Sequence, residues 1–468
     1  MTVIRPNSIS GINSITGQGG DVTIFRADGT AGDLVVNNVT TGIVTATTFV
    51  GNVTGSGANL TSIPAAQLTG TVADARLTSV TASKLSGALP AIDGSALTGV
   101  GASFGNSSVN TSGIITATAF VSDTPLSHRN KVHNGSMIIS QRYGTTAYTS
   151  PNSSKNYTID RWAYWSNQAS KASVQQVTDA PVGFYNSAKC TSLAATTAGN
   201  GDWFGYLTAI EGQDIYDLAQ GTANAKSFTL SFYVKSSVTG TWAGAIRAKA
   251  GSPSRSYPFN YTISSANTWE RKSITISGST DGTWATGNSE GMNIWFDLGT
   301  GSSFHQTANQ WYSGNATGPS ASPFIAVNGA TWLVTGVQLE SGSVTTPFEH
   351  RSYAEELALC YRYYQVIAEG QDAIIGQAWT TNANFYSVID LPVIMRATPS
   401  MEVSNWTDAF RAYGPSGGVN VSTLALNGET RNNRILINQT GQPGTGAVLR
   451  VYGANSGEYG KLAFKSEL

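Results

Sequence analysis

The chain is short of charge, of cysteine and, over its first quarter, of every large aromatic except phenylalanine. Charged residues fill 12% of its 468 positions, about half the usual share of roughly 25%. Its 27 basic and 28 acidic side chains leave a formal net charge of −1. That excludes the electrostatic footprint of a nucleic-acid or anionic-membrane binder. No run of about 18 apolar residues exists, so no membrane-spanning helix is expected. Met1–Ser10 lacks a basic start followed by an apolar core, so no signal peptide is expected. Cys190 and Cys360 are the only cysteines, and reduced, partly buried thiols are the expectation. Together with His128, His133, His305 and His350 they show no metal-ligand spacing. Neither a metal nor a cofactor is expected. P-loop, nucleophile-elbow and zinc motifs are all missing. N-x-[ST] triplets such as Asn38-Val-Thr are frequent, as chance alone gives in a chain rich in Asn, Ser and Thr.

Residues 1–127 hold no Trp, Tyr or Cys and only four basic side chains. So little large apolar surface cannot bury a globular core within one chain. Yet VTTGIVTATTFV (Val39–Val50) returns as NTSGIITATAFV (Asn110–Val121), 71 residues later. Gly57-Ala58-Asn59-Leu60-Thr61-Ser62-Ile63 is echoed by Gly94-Ser95-Ala96-Leu97-Thr98-Gly99-Val100. There is no Gly-X-Y period and no sustained heptad, which excludes collagen and a long coiled coil. The remaining ordered option is β-structure in which three chains wind together and share strand edges. A flexible Gly/Ser/Thr linker is the alternative, and the recurring Ile/Val/Phe clusters argue against it. Residues 1–33 read as a docking segment and 34–127 as a repetitive β shaft.

At Asn130 the composition changes, and nine of the eleven tryptophans lie from Trp162 to Trp332. SFTLSFYVK (Ser227–Lys235) places Phe228, Leu230, Phe232 and Val234 on one face, the period of a half-buried strand. Further strands are expected at Trp242–Lys249, Trp269–Ser277, Met292–Leu298 and Thr331–Glu340. Short strands divided by Gly/Ser/Asn turns predict a jelly-roll β-sandwich over 128–365. Ser352–Gln365 is the clearest helix: Ser352 and Glu355 form an S-x-x-E capping box, and Leu357, Cys360, Tyr361 and Tyr364 recur at helical spacing. Strand signals resume at Ala373–Trp379, Phe385–Leu391, Met401–Val403, Ile435–Asn438, Gly446–Tyr452 and Gly460–Phe464. They predict a small C-terminal β-sandwich over 366–468. The fold class is therefore all-β: a trimeric fibrous shaft, a central jelly roll with one short helix, and a terminal β-sandwich.

Four segments resemble the receptor-binding tail-fibre proteins of tailed bacteriophages: NKVHNGSMIISQRYG (Asn130–Gly144), YTIDRWAYW (Tyr157–Trp165), VQLESGSVTTPFEHRSYAEELALCYRYY (Val337–Tyr364), and LPVIMRATPSMEVS (Leu391–Ser404) with the terminal LAFKSEL. The GIVTATTFVG and GSGANLTSI repeats resemble shaft repeats of phages that infect cyanobacteria. The resemblance implies a virion-attached N-terminus, a trimeric shaft and distal β domains, one like a carbohydrate-binding module, that face the host. It implies a homotrimer, other tail or baseplate proteins as partners of the N-terminus, and host polysaccharide or lipopolysaccharide as receptor. The protein is then expected in the virion tail fibre after synthesis in the host cytoplasm, with no nucleic-acid partner and no membrane insertion.

Glycoside hydrolysis needs two carboxylates at a set separation. Glu211, Asp214, Glu290 and Asp297 are the candidates, but none lies in a recognisable motif, and no catalytic residue is assigned. Glycan binding fits better, because sugar faces lie on half-wet aromatics. Aromatics in turn-like contexts are the candidates: Trp203, Phe204 and Tyr206 in GNGDWFGY, Trp284 in STDGTW, Trp311 and Tyr312 in QWYSGN, and Trp406 and Tyr413 near the C-terminus. Trp162, Trp165, Trp295 and Trp332 are expected in the core. The rival readings are a structural fibre at the head, neck or baseplate and a polysaccharide-cleaving tailspike. The latter usually needs a long parallel β-helix, of which there is no sign.

Overall fold

The computed structural model describes residues 127–150, 153–248, 254–320, 322–370, 374–377, 384–404, 410–414, 417–420, 424–426, 434–440, 448–451 and 460–468, with Thr30, Thr48 and Val50 before them. The docking segment, the shaft repeats and Trp406 lie outside the described residues. The chain divides into two units, Met1–Ser112 and Gly113–Leu468, and every described element belongs to the second.

In chain order the strands are β1 (Tyr148–Thr149), β2 (Lys155–Tyr157), β3 (Trp162–Ser166), β4 (Ala172–Val177), β5 (Ser187–Ser192), β6 (Phe204–Glu211), β7 (Phe228–Ser236), β8 (Gly240–Ala248), β9 (Arg255–Ile263), β10 (Glu270–Ile276), β11 (Glu290–Asp297), β12 (Tyr312–Ser313) and β13 (Thr331–Ser341). Helix α1 (Tyr353–Tyr361) follows. Then come β14 (Tyr364–Glu369), β15 (Ile374–Gln377), β16 (Asn384–Asp390), β17 (Ser400–Ser404), β18 (Phe410–Gly414), β19 (Gly417–Asn420), β20 (Leu424–Leu426), β21 (Arg434–Thr440), β22 (Val448–Val451) and β23 (Lys461–Lys465).

The fold is all-β, with α1 the single α-helix among the described residues. A six-stranded sheet in the order β1-β4-β5-β13-β7-β10 faces a seven-stranded sheet in the order β12-β9-β8-β11-β6-β3-β2. All pairings are antiparallel. The period-2 alternation of β7 sends Phe228, Leu230, Phe232 and Val234 into the shared core, as its sequence predicts. There Phe232 meets Phe296 of the opposite sheet edge-on at 5.0 Å, and Trp332 meets Tyr206 at 6.1 Å. Each such ring contributes about 1.5–3 kcal/mol by leaving water. Cys190 and Cys360 are both buried and unpaired.

Helix α1 starts where the capping box places it: Ser352 Oγ accepts a bond from Glu355 N at 3.2 Å. It ends four residues before the predicted Gln365. Tyr364 and Gln365 instead open β14, whose register runs Tyr364↔Lys465 and Gln365↔Phe464. A partner 101 residues away thus overrides local helical spacing. Strand β23 sits centrally in the sheet β14-β23-β17, and the remaining terminal strands form two further small sheets, β15-β22-β18-β19 and β16-β21-β20.

The segment 130–144, the loop before β3, the helix region and the terminal LAFKSEL meet at one polar junction. Asn130 Oδ1 accepts from Val132 N (2.9 Å) and Leu339 N (3.1 Å). Asn134, at φ 54°, gives its amide to the carbonyls of Ile139 (2.8 Å) and Asp160 (2.9 Å). Glu356 of α1 accepts from Asn134 N. Arg142 and Arg161 both grip Glu467, at 3.0 and 2.6 Å, and lie over the rings of Tyr364 and Tyr363. Arg396 donates to the carbonyls of Ser466 (2.8 Å) and Glu467 (3.0 Å).

Candidate functional site

Alternation along the seven-stranded sheet leaves a second, outward face. Where Trp162, Tyr164, Phe204, Tyr206, Ile294 and Phe296 enter the core, Ala163, Leu207 and Trp295 form a separate apolar cluster. Tyr157, Trp165 and Trp203 pack onto it half-exposed. Trp165 meets Trp203 edge-on at 6.4 Å and Trp295 at 6.1 Å. Phe304 extends the row, 6.1 Å from Trp203. Gly205 makes the row possible. Trp295 lies so close that a Cβ on Gly205 would sit 2.1 Å from its Cζ2, a close approach that a strand glycine allows.

The loop carrying Trp203 is fixed by one carboxylate. Asp202 accepts from Gly199 N (2.7 Å), Asn167 Nδ2 (2.9 Å) and Gln168 Nε2 (2.6 Å). Asn167 Oδ1 in turn accepts from Trp203 N at 3.1 Å. Asn200 ties the same loop to the turn bearing Phe304, accepting from Ser302 Oγ (3.1 Å) and Ser303 N (3.0 Å). The aromatic row is thus pre-organised, which spares a ligand the cost of ordering it.

The far end of the row is polar and buried. The Arg247 guanidinium lies 3.9 Å above the Trp295 ring and is 4% exposed. Its Nε and Nη2, Trp295 Nε1 and Asn293 Oδ1 have no hydrogen-bond partner among the described residues. Burial, opposed by Glu290 and Asp297, pushes Arg247 down to about 9.

The candidate residues scatter. Trp203 stands in the outward row. Phe204 and Tyr206, expected to face a ligand, are fully buried in the core. This corrects the loop reading of GNGDWFGY, because β6 already begins at Phe204 and sends both rings inward. Trp284 and Trp311, from different loops, meet edge-on at 5.5 Å, and Trp311 also meets Tyr257 at 5.2 Å. Both indole nitrogens are occupied, Trp311 by the Ser277 carbonyl (2.7 Å) and Trp284 by that of Asp281 (3.3 Å). With Trp284 only 8% exposed, this pair caps the core. Tyr312 is half-buried in the edge strand β12, and Tyr413 is half-buried in β18. Trp165, Trp295 and Phe304 were not anticipated on the outward face. The signal for Trp165 was present in WAYWS, where a strand carries large aromatics on both faces.

The four carboxylates weighed for hydrolysis are held in other roles. Glu211 is fully buried in the fork of Arg362 (2.7 and 2.8 Å) and accepts from the Tyr363 hydroxyl. Asp297 accepts from Thr300 N (2.9 Å) and Ser322 N (3.0 Å), and burial pushes its carboxyl up. Glu290 binds the Asn293 amide at 2.6 Å. Asp214, pushed up by burial and Glu211, lies 3.8 Å from His133. Burial, helped by Arg161, Arg351 and Arg362, drives His133 down to about 3, so the imidazole is neutral.

No protein-family model and no curated protein sequence matches the chain. Among solved structures it is similar to the enzymatically active domain of tailspike protein 4 of bacteriophage CBA120, at 14% identity and a TM-score of 0.27, over 46% of this chain and 21% of that one. It spans about a fifth of that tailspike chain. It is also similar to the family 11 carbohydrate-binding module of a Clostridium thermocellum cellulosomal cellulase, at 14% identity and 0.22, over 42% of this chain and 96% of the module. A third likeness is to the xylan-binding domain of Paenibacillus barcinonensis Xyn10C, at 11% and 0.23, over 43% and 96%.

Proposed function

We propose that this chain is a phage tail-fibre protein that attaches the virion to its host by binding surface glycans. In this reading residues 1–33 dock to tail or baseplate proteins, 34–127 form a trimeric shaft, and the β domains 128–365 and 366–468 face the host. The observation that carries the binding step is the outward row Trp203, Trp165 and Phe304, half-exposed and held rigid by Asp202. A hexose lays its apolar C–H face on such a ring while its hydroxyls reach polar neighbours. Asn167 and Gln168, both bonded to Asp202, hold the loop on which Trp203 stands. One such contact is weak. Three tips per fibre and several fibres per particle raise the effective concentration and convert weak sites into firm attachment.

The test is host-cell and glycan-array binding by the full-length protein beside Trp203→Ala, with mass in solution measured by light scattering. Binding that falls on Trp203→Ala, together with a mass near three times 49.0 kDa, supports the proposal. Undiminished binding by a well-folded Trp203→Ala protein moves the site elsewhere. A monomeric mass removes the intertwined shaft, and release of oligosaccharide from host polysaccharide returns the depolymerase reading.

A further inference from the structure

Beside the polar junction a cleft of about 650 Å³ opens among α1, β14, the start of β23 and the turn at residues 140–146. Small-ligand sites commonly hold about 300–1,000 Å³. Three tyrosines line it. Tyr353 and Tyr361 are the first and last residues of α1, so they stand about 12 Å apart along its axis. Tyr143 comes from the turn. Tyr353 is 57% and Tyr143 36% exposed, and Tyr361 is half-buried. Buried Ile139 and half-buried Val366 add apolar lining. Large aromatics left in water together in a concave place are the exception that calls for a ligand.

The cleft is built before any ligand arrives. Tyr143 stacks on Tyr148 at 4.4 Å. Its turn is closed by Thr146 N donating to the Tyr143 carbonyl (2.8 Å) and Ser140 Oγ to the Gly144 carbonyl (2.9 Å). Lys461 Nζ holds the same turn from below, donating to the carbonyls of Gln141 (2.5 Å) and Arg142 (3.0 Å). A ligand is therefore spared the cost of ordering these walls.

The polar groups that remain are uncharged. The hydroxyls of Tyr353, Tyr361 and Thr146 have no hydrogen-bond partner among the described residues. Burial, helped by the nearby Tyr353 and Asp160, pushes the Tyr361 phenol up, which keeps its proton for donation. The cations are spent: Arg142 on Glu467 at 3.0 Å, Lys461 on two carbonyls and on Glu369 at 3.7 Å. Their side chains are 5% and 13% exposed, whereas that of Glu369 is 57% exposed. An anionic ligand would meet this carboxylate with no free cation to answer it.

We infer that this cleft binds a neutral oligosaccharide, its pyranose faces on Tyr143, Tyr353 and Tyr361 and its hydroxyls on Thr146 and the phenols. This inference rests on the glycan-binding reading and adds to it a second contact area and a substrate class, uncharged sugars. Two contact areas per chain also raise the effective concentration of one polysaccharide strand at each.

The test is binding of the full-length protein to an array of neutral and uronate-bearing oligosaccharides, beside Tyr353→Ala, Tyr143→Ala and Trp203→Ala, with urea unfolding as the check on folding. Tyr353→Ala and Tyr143→Ala should each weaken neutral glycans by roughly two- to tenfold, the size of one aromatic contact. Tyr361→Phe, which keeps the ring and removes only the hydroxyl, should weaken them too and serves where an alanine variant shifts the unfolding midpoint. Unchanged neutral-glycan binding in all three tyrosine variants, with Trp203→Ala still weakening it, overturns the cleft and leaves the glycan reading standing. A Tyr353-dependent signal on uronate-bearing glycans overturns the substrate class. Silence of the wild type across the array overturns this inference and the glycan reading together.

Discussion

Gly205→Ala is the sharpest probe of the outward face. In most strand positions alanine for glycine stabilises by about 0.4–1 kcal/mol, because the unfolded chain loses freedom. Here the new methyl would lie 2.1, 2.2 and 2.6 Å from Cζ2, Cε2 and Cη2 of Trp295. That indole is held edge-on by Trp165 and covered by Arg247, so it cannot swing aside cheaply. Overpacking of this kind costs about 1–3 kcal/mol. The steric term wins, and the net loss should be about 2 kcal/mol, towards the upper end because the clashing group is a ring rather than a flexible side-chain tip. Urea unfolding followed by tryptophan fluorescence reads it directly. The decisive arm is the double-mutant cycle with Trp295→Leu. Once the ring is gone, Gly205→Ala should cost nothing or stabilise slightly, giving a coupling of about 1–3 kcal/mol. An equal cost in both backgrounds, or no cost in the wild type, refutes the claim that Trp295 sets the glycine.

Two further outcomes are expected. Arg362→Met leaves the fully buried Glu211 carboxylate with the Tyr363 hydroxyl alone, which should cost about 3–5 kcal/mol; adding Glu211→Gln should recover much of it, and a loss under about 1 kcal/mol in urea unfolding would show the pair to be dispensable. His133 is neutral in the fold at about 3 against roughly 6.5 unfolded, so the unfolded chain binds the extra proton and its contribution is present above pH 6.5 and lost as pH falls toward 3. The slope is about 1.4 kcal/mol per pH unit within that window, and His133→Gln should flatten the urea midpoint between pH 6 and 4 relative to wild type, with parallel profiles contradicting the assignment.

How much of this was legible in the sequence depends on whether the deciding contact is local. The alternation of SFTLSFYVK and the Ser352 cap are local, and both stand in the structure nearly as read. The end of α1 was not legible, because β23 that claims Tyr364 lies about a hundred residues on. Phe204 and Tyr206 were misplaced because the whole of GNGDWFGY was read as a loop, whereas β6 begins at Phe204 and Gly205 admits the Trp295 ring. Composition cannot tell the two apart. The four segments that carry the phage resemblance converge on the junction of Asn130, Asn134, Arg142, Arg161 and Glu467. Those residues hold the scaffold together, so the resemblance pointed to architecture and left the contact residues unmarked.

The central place of β23 also has a consequence in time. Tyr364 and Ser400 both pair with Lys465, so neither β14 nor β17 has its neighbour until residues 461–465 leave the ribosome. At about 5–20 residues per second, the interval from Tyr364 to Lys465 is roughly 5–20 s. Through that interval the two-sheet core can close while β14 and β17 lack their shared neighbour, their strand edges open to other nascent copies. Among the described residues the sheet β14-β23-β17 is therefore the last to close, and only a chain made through Lys465 can carry it. Arrest-peptide force measurements along synthesis would show a late pull at that point, separate from the one at β13.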